Sequence, residues 1–163
     1  AISSNSEKIL NRDIEILAPV IRSCMNHKVH IVSLDPYERN GIRATLNLGH
    51  TLAHAIETKT GYAIAHGVAV AIGLRFALDL SLALERITES ERNERTALID
   101  ALNLEREVPA QVKDAQGLVD LMFADKKSDG GLSMILLNST EPAELVKGLD
   151  RSIVEKTLAE FIG

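Results

Sequence analysis

Five side chains in the run Arg43-Ala-Thr-Leu-Asn47-Leu-Gly-His50-Thr-Leu-Ala-His54-Ala-Ile-Glu57 can bind a cation or an anion. A helix turns about 100° per residue, so one helix through this run holds Arg43, Asn47, His50, His54 and Glu57 within an arc of roughly 80°. Solvated helix faces favour Lys and Glu pairs. This face instead offers two imidazoles, an amide, a guanidinium and a carboxylate, groups that coordinate metals and bind anions. A His-x-x-x-His pair alone is more often structural than not, and His66 changes that weighting. It follows the turn Gly61-Tyr-Ala-Ile-Ala, directly precedes Gly67 and a long apolar run, and can swing toward the preceding helix. Catalytic zinc commonly takes two His and one carboxylate, leaving positions open for substrate oxygens. Two histidines are available here; the carboxylate is not evident.

The elements that must position these groups are mostly helical. Ile9, Leu10, Ile14, Leu17, Ile21 and Met25 recur at helical spacing from about Glu7 to Lys28, with Pro19 expected to kink or restart the helix. Ala1 to Ser6 are expected to fray. Asp35-Pro36 opens a loop through Asn40-Gly41, a strong turn signal. Further helices are expected from Ile42 to Thr60, from Gly67 to Leu84, from the capped start Thr88-Glu-Ser-Glu to about Leu102, from Ala115 to Phe123, and from Ser152 to Phe161 with the Ser152 hydroxyl as N-cap. Leu132 to Leu137 is the most strand-like run, and Glu144 to Lys147 can pair with it across a turn. The expected fold is mainly α, a multi-helix domain over residues 1–163 with one short β-ribbon.

Composition narrows the function. The chain of 163 residues suits one domain; its apolar content is 45%, but only two Tyr and three Phe are aromatic, so aliphatic side chains must fill the core. A net charge of -5 with scattered Lys and Arg argues against nucleic-acid binding. Cys24 is the one cysteine, so an internal disulfide is impossible; it reads as a half-buried, inert thiol. There is no signal-peptide pattern. The apolar stretch around Gly67 to Leu84 is interrupted by Arg75 and Asp79, which marks a buried helix rather than a membrane span. A cytoplasmic protein with no membrane partner is expected.

Taken in order, Lys28, Asp35-x-x-Glu38, Arg43-x-x-Leu-Asn47-x-Gly-His50-Thr-x-x-His54-Ala-Ile-Glu57, Gly61-Tyr62, His66-Gly67-x-Ala-Val-Ala-Ile-Gly73, Asp125-Lys126-Lys127 and the Met134-Ile-Leu-Leu strand resemble the dehydroquinate synthase family of sugar phosphate cyclases. The resemblance covers nearly the whole chain. It implies conversion of a seven-carbon keto-sugar acid phosphate to dehydroquinate in the shikimate pathway, with transient oxidation of one hydroxyl by NAD, loss of phosphate, re-reduction and an internal aldol closure. It also implies zinc or cobalt, a homodimer, and a separate N-terminal NAD-binding domain that this chain does not contain. His50 and His66 correspond to metal ligands. Lys28, Glu38 and His54 correspond to catalytic positions facing the substrate, and Arg43, Asn47 and His54 to positions that hold its carboxylate or phosphate. Lys126 and Lys127 by themselves read as an exposed charged loop; the resemblance assigns one of them to an anionic substrate group.

Several departures bear on the assignment. No strand-turn-helix dinucleotide fingerprint occurs. The family's third metal ligand, a Glu about fifty residues before Lys28, is expected outside the chain. Val68 stands where the family usually has Glu, and the loop from Glu38 to Arg43 has one extra residue. These leave open a sibling cyclase such as an inosose synthase, or a metal-dependent polyol or alcohol dehydrogenase of the same superfold. The anion-binding set speaks against the dehydrogenases. A non-catalytic helical module leaves the polar face without a purpose. On this reading the chain alone is expected to be inactive.

Overall fold

Helix α4 (His66–Ala83) is apolar on nearly every side, and such a helix is stable only when surrounded. The computed structural model describes residues 2–105, 107–124, 131–140 and 143–163. It packs α3 (His50–Lys59), α5 (Glu89–Asp100), α7 (Arg151–Ile162) and strand β1 (Leu132–Leu136) around α4. Ile72, Phe76 and Leu80 are fully buried, and Phe76 meets Phe161 of α7 with ring centroids 5.8 Å apart. By length and mean hydropathy of 1.4, α4 is able to cross a membrane, yet 56% of it is buried inside the domain, as in a core helix.

The two charges expected to interrupt this helix both have partners. Arg75, almost wholly buried, pairs with Asp100 at 2.8 Å and donates to the carbonyls of Leu104 (3.1 Å) and Glu105 (3.0 Å). Asp79 receives Arg92 of α5 at 2.6 Å. The buried Arg75 thus anchors α5 and the segment after it, and the half-buried Asp79 adds a second tie to α5.

The remaining elements are α1 (Ser6–Leu10), α2 (Ile14–Leu34), α6 (Ala115–Ala124) and strand β2 (Glu144–Leu149). Strands β1 and β2 form the expected antiparallel ribbon, with Met134 opposite Val146, Ile135 opposite Leu145 and Leu136 opposite Glu144, and with an irregularity between Leu132 and Met134. Helix α6 packs on α3 and α7.

Several expectations need correction. The first helical segment breaks at residues 11–13, where Arg12 takes φ 59° and the Asp13 side chain caps α2, while Pro19 sits inside an unbroken helix. At the sixth position of α2, Pro19 removes the N–H that would bond the Glu15 carbonyl, and the helix continues past this one missing bond. Helix α7 is capped by Asp150, which accepts from Ser152 N–H at 2.7 Å and Ile153 N–H at 3.4 Å; Ser152 instead donates its hydroxyl to the same carboxylate. Residues 3–5 form a short 3-10 turn rather than fraying. Cys24 is exposed, because no residue of α2 is buried.

Helix α5 begins with the expected capping box: Thr88 Oγ1 accepts from Glu91 N–H (3.2 Å) and Glu91 Oε2 accepts from Thr88 N–H (2.8 Å). The Ser139 hydroxyl, just past β1, also donates to Glu91 Oε2 at 2.6 Å. The Ser139 hydroxyl first, then the Thr88 donors, bring the Glu91 pKa down from 4.5 to about 2. A carboxyl depressed by folding stabilises the fold above its unfolded pKa, and that contribution is lost as pH falls through the folded value. Melting temperatures recorded from pH 4.5 down to 2 should therefore fall more steeply for the wild type than for Glu91→Gln, and the two should converge at the acid end. Parallel curves would show that the Ser139 contact carries no linkage.

Candidate metal centre and substrate cavity

The site begins with the loop that follows α2. Asp35, 1% exposed, gathers that loop around one carboxylate: Oδ1 accepts from Arg39 N–H at 2.8 Å, Oδ2 from Arg43 N–H at 3.3 Å, and both oxygens lie within reach of Asn40 N–H. Burial pushes the Asp35 carboxyl up, but the N–H groups of Arg39, Arg43, Asn40 and Ile42 outweigh it, so the pKa lies below the ordinary value. Within this loop Glu38 adopts a left-handed backbone (φ 54°), and the Arg43 guanidinium donates to the Pro36 carbonyl at 3.0 Å.

The helix expected from Ile42 to Thr60 is not continuous. Arg43–Asn47 forms a 3-10 helix, the chain turns at Leu48 and Gly49, and α3 starts at His50. Gly49 takes φ +79° and its backbone lies against α4: a Cβ on Gly73 would fall 1.9 Å from the Gly49 carbonyl oxygen. Any side chain at either position would force the two helices apart. Helical periodicity cannot register such a break, so the single arc applies to His50, His54 and Glu57 but not to Arg43 and Asn47.

Helix α3 begins against Gly73 in the middle of α4, and α4 begins against Glu57 near the end of α3; across this packing the three histidines converge. Ring centroids are 5.3 Å apart for His50 and His66, 5.7 Å for His50 and His54, and 6.3 Å for His54 and His66. His50 Nδ1 lies 3.2 Å from the Leu48 carbonyl oxygen, which can only accept, so Nδ1 carries the proton. His66 Nδ1 lies 2.8 Å from Glu57 Oε1. In both rings Nε2 is the nitrogen left for an ion, the arrangement that ligating histidines adopt. Among the described residues no group of three His, Cys, Asp or Glu stands ready to hold a metal. The donor chemistry fits a zinc-type ion bound by two imidazoles and completed by a ligand from elsewhere.

His50 and His54 line a cavity of about 930 Å³ together with Glu38, Asn47, Thr51, Glu57, Thr58 and Tyr62. Its other wall is apolar, from Leu121 and Met122 of α6, Ile135 of β1 and Leu145 of β2. Lys59 at the end of α3 pairs with Asp114 just before α6, holding the two walls together. Five of the residues singled out in the sequence (Glu38, Asn47, His50, His54 and Glu57) thus share one cavity, with His66 beside them. Lys28, exposed on α2, and Arg43 are not among its lining residues. Lys126 and Lys127 lie outside the described residues. The sequence reading gave no role to Asp35 and none to Glu57 beyond its place on the face; the signal for Glu57 is its position seven residues after His50.

Residues 1–128 match the family model described as 3-dehydroquinate synthase C-terminal. The chain is 44% identical over 160 residues to the 3-dehydroquinate synthase of Methylococcus capsulatus, a match covering 96% of this chain and 44% of that protein. It is 40% identical over 164 residues to that of Acidithiobacillus ferrooxidans, covering 99% of this chain and again 44% of the relative. The chain therefore spans less than half the length of these relatives. Among solved structures, a 2-deoxy-scyllo-inosose synthase complexed with carbaglucose-6-phosphate, NAD+ and Co2+ superposes with a TM-score of 0.72 at 23% identity, over 86% of this chain and 39% of that one. At that identity the match speaks for the fold. Family model, relatives and fold agree with the histidine cluster: the chain belongs to the 3-dehydroquinate synthase C-terminal family.

Proposed function

We propose that this chain is the metal- and substrate-binding part of a 3-dehydroquinate synthase, which converts 3-deoxy-D-arabino-heptulosonate 7-phosphate to 3-dehydroquinate and phosphate in the cytoplasm, as a homodimer. The observation that carries the proposal is the convergence of His66 on His50 and His54, two residues that line the cavity, in a chain of this family. His50 and His66 are the metal ligands, through Nε2. The divalent ion, zinc or cobalt, supplies a Lewis acid for the substrate's hydroxyl oxygens when bound. NAD is held by another part of the protein, and this chain contributes no dinucleotide fingerprint.

The chain's own residues bind and orient the substrate. His54 and the Asn47 amide offer hydrogen bonds to substrate oxygens from the cavity wall, and the Glu38 carboxylate can take up or return a proton there. Arg43 and Lys28 act on the substrate's anionic groups after local rearrangement or from the rim. Lys126 and Lys127 follow Ala124, a lining residue, by two and three positions, which supports an anion-binding role for one of them. The apolar wall from α6 and the ribbon limits water at the reacting face.

A second reading, a sibling cyclase acting on a hexose phosphate, is kept open by Val68, which stands where the family usually has Glu. One experiment addresses both. The purified chain is given the seven-carbon phosphate substrate, NAD and zinc, and the assay is repeated after adding the separately expressed N-terminal half and again with glucose 6-phosphate. No phosphate release is expected from the chain alone, and release from the heptulosonate phosphate only when both halves are present. Turnover by the chain alone contradicts the division of labour, and release only from the hexose phosphate transfers the assignment to the sibling reaction.

A further inference from the structure

Glu57 is an acidic residue on a mostly apolar stretch of α3. It is 8% exposed, and its neighbours Ala53, Ala55 and Ile56 are buried in the core. A carboxylate in such a place requires hydrogen-bond or charge partners. Its carboxylate meets the Nδ1 of His66 at 2.8 Å. His66 is the first residue of α4, and its side chain remains 56% exposed, so little else packs around the ring to fix its orientation. His50 is held differently: its Nδ1 proton goes to the backbone carbonyl of Leu48, and its residue is half-buried. One ring is therefore set by the backbone and the other by a single carboxylate.

We infer that Glu57 is the positioning residue of the metal centre. Its carboxylate accepts a hydrogen bond from the His66 Nδ1–H, fixes the tautomer that leaves Nε2 free, holds the plane of a partly exposed ring, and places a negative charge behind it. This rests on the reading of His50 and His66 as metal ligands. Outer partners of ligating histidines act in this way, and losing one weakens metal binding by about 10–100-fold. The same carboxylate lines the cavity beside His54, one turn earlier on α3, so holding His66 also keeps that edge of the cavity in shape.

The test uses the full-length protein, freed of metal and titrated with Co2+ and Zn2+ against a competing chelator. Glu57→Gln keeps the size and an accepting oxygen but removes the charge, and Glu57→Ala removes both. Metal dissociation constants should rise about tenfold for Glu57→Gln and toward about a hundredfold for Glu57→Ala. The visible spectrum of the Co2+ form should change, while the melting temperature of metal-free Glu57→Gln stays at the wild-type value. Saturating metal should restore most turnover. His66→Ala is measured alongside to separate the two ideas. If His66→Ala loses metal while Glu57→Gln binds it within twofold of wild type with an unchanged spectrum, the positioning role is refuted and the ligand role stands. If His66→Ala itself binds metal normally, the underlying ligand assignment fails. A Glu57→Gln protein that melts lower but binds metal as tightly as wild type would reduce Glu57 to a packing role.

Discussion

The His50→Ala form of the full-length protein is expected to emerge from purification without its metal, whereas His54→Ala retains it. Both residues are on α3 and face the same cavity, so the contrast tests role rather than location. His50 has its ring fixed by the Leu48 carbonyl and its centroid 5.3 Å from His66, the pair through which one ion can be shared. Removing a direct ligand deletes a coordinate bond, so the loss of affinity should exceed the roughly 10–100-fold that follows from losing an outer partner. His54, assigned to substrate oxygens, should cost turnover at normal metal content. Elemental analysis of the two purified variants reads the outcome directly. Normal zinc content in His50→Ala overturns the ligand assignment.

The second large effect is expected from Gly73→Ala. The added Cβ would stand 1.9 Å from the Gly49 carbonyl oxygen and 2.9 Å from its carbonyl carbon. These are backbone atoms, and no rotamer change removes them. Overfilling a well-packed core ordinarily costs about 1–3 kcal/mol through displaced side chains. Here whole helices must separate, so the cost should reach or exceed the top of that range. At about 2–4 °C per kcal/mol for a chain of this size, the melting temperature should fall by roughly 6–12 °C or more. Metal affinity should fall with it, because the contact sets how α3 and α4 present His50 and His66. A Gly73→Ala protein that melts within about 2 °C of wild type would show that the helices have slack at this crossing.

How far the sequence could be read follows from what kind of information each feature needs. The capping box at Thr88, helix α6, the ribbon and the apolar α4 are local patterns, and they were legible. The break at Gly49 was not, since it is dictated by contact with Gly73 from the next helix, and the periodicity of Arg43 to Glu57 runs through it undisturbed. The stripe of Ile14, Ile21, Met25 and Val29 has the spacing of a core face, yet each of these residues is exposed, because amphipathic spacing gives a face and not its partner. Of the site, the histidines were legible from residue type and spacing. Asp35 and Glu57 were not assigned their roles: a carboxylate's function here depends on which N–H groups or imidazole the folded chain brings to it.

Helix α2 has a thermodynamic consequence of its own. Its 21 residues include none that is buried, so its order rests on backbone hydrogen bonds, the Asp13 cap and contacts near its two ends. Helices held mainly by their own backbone are marginal in water, and such segments open locally at a free energy far below that of the whole domain. In this chain by itself the middle of α2 is therefore expected to exchange its amide protons faster than the α3–α4 pair, opening while the histidine cluster stays intact. Any surface laid along its exposed apolar stripe adds burial to that helix alone, so the helix's protection against exchange and proteolysis reports on contact there without reporting on the stability of the metal centre.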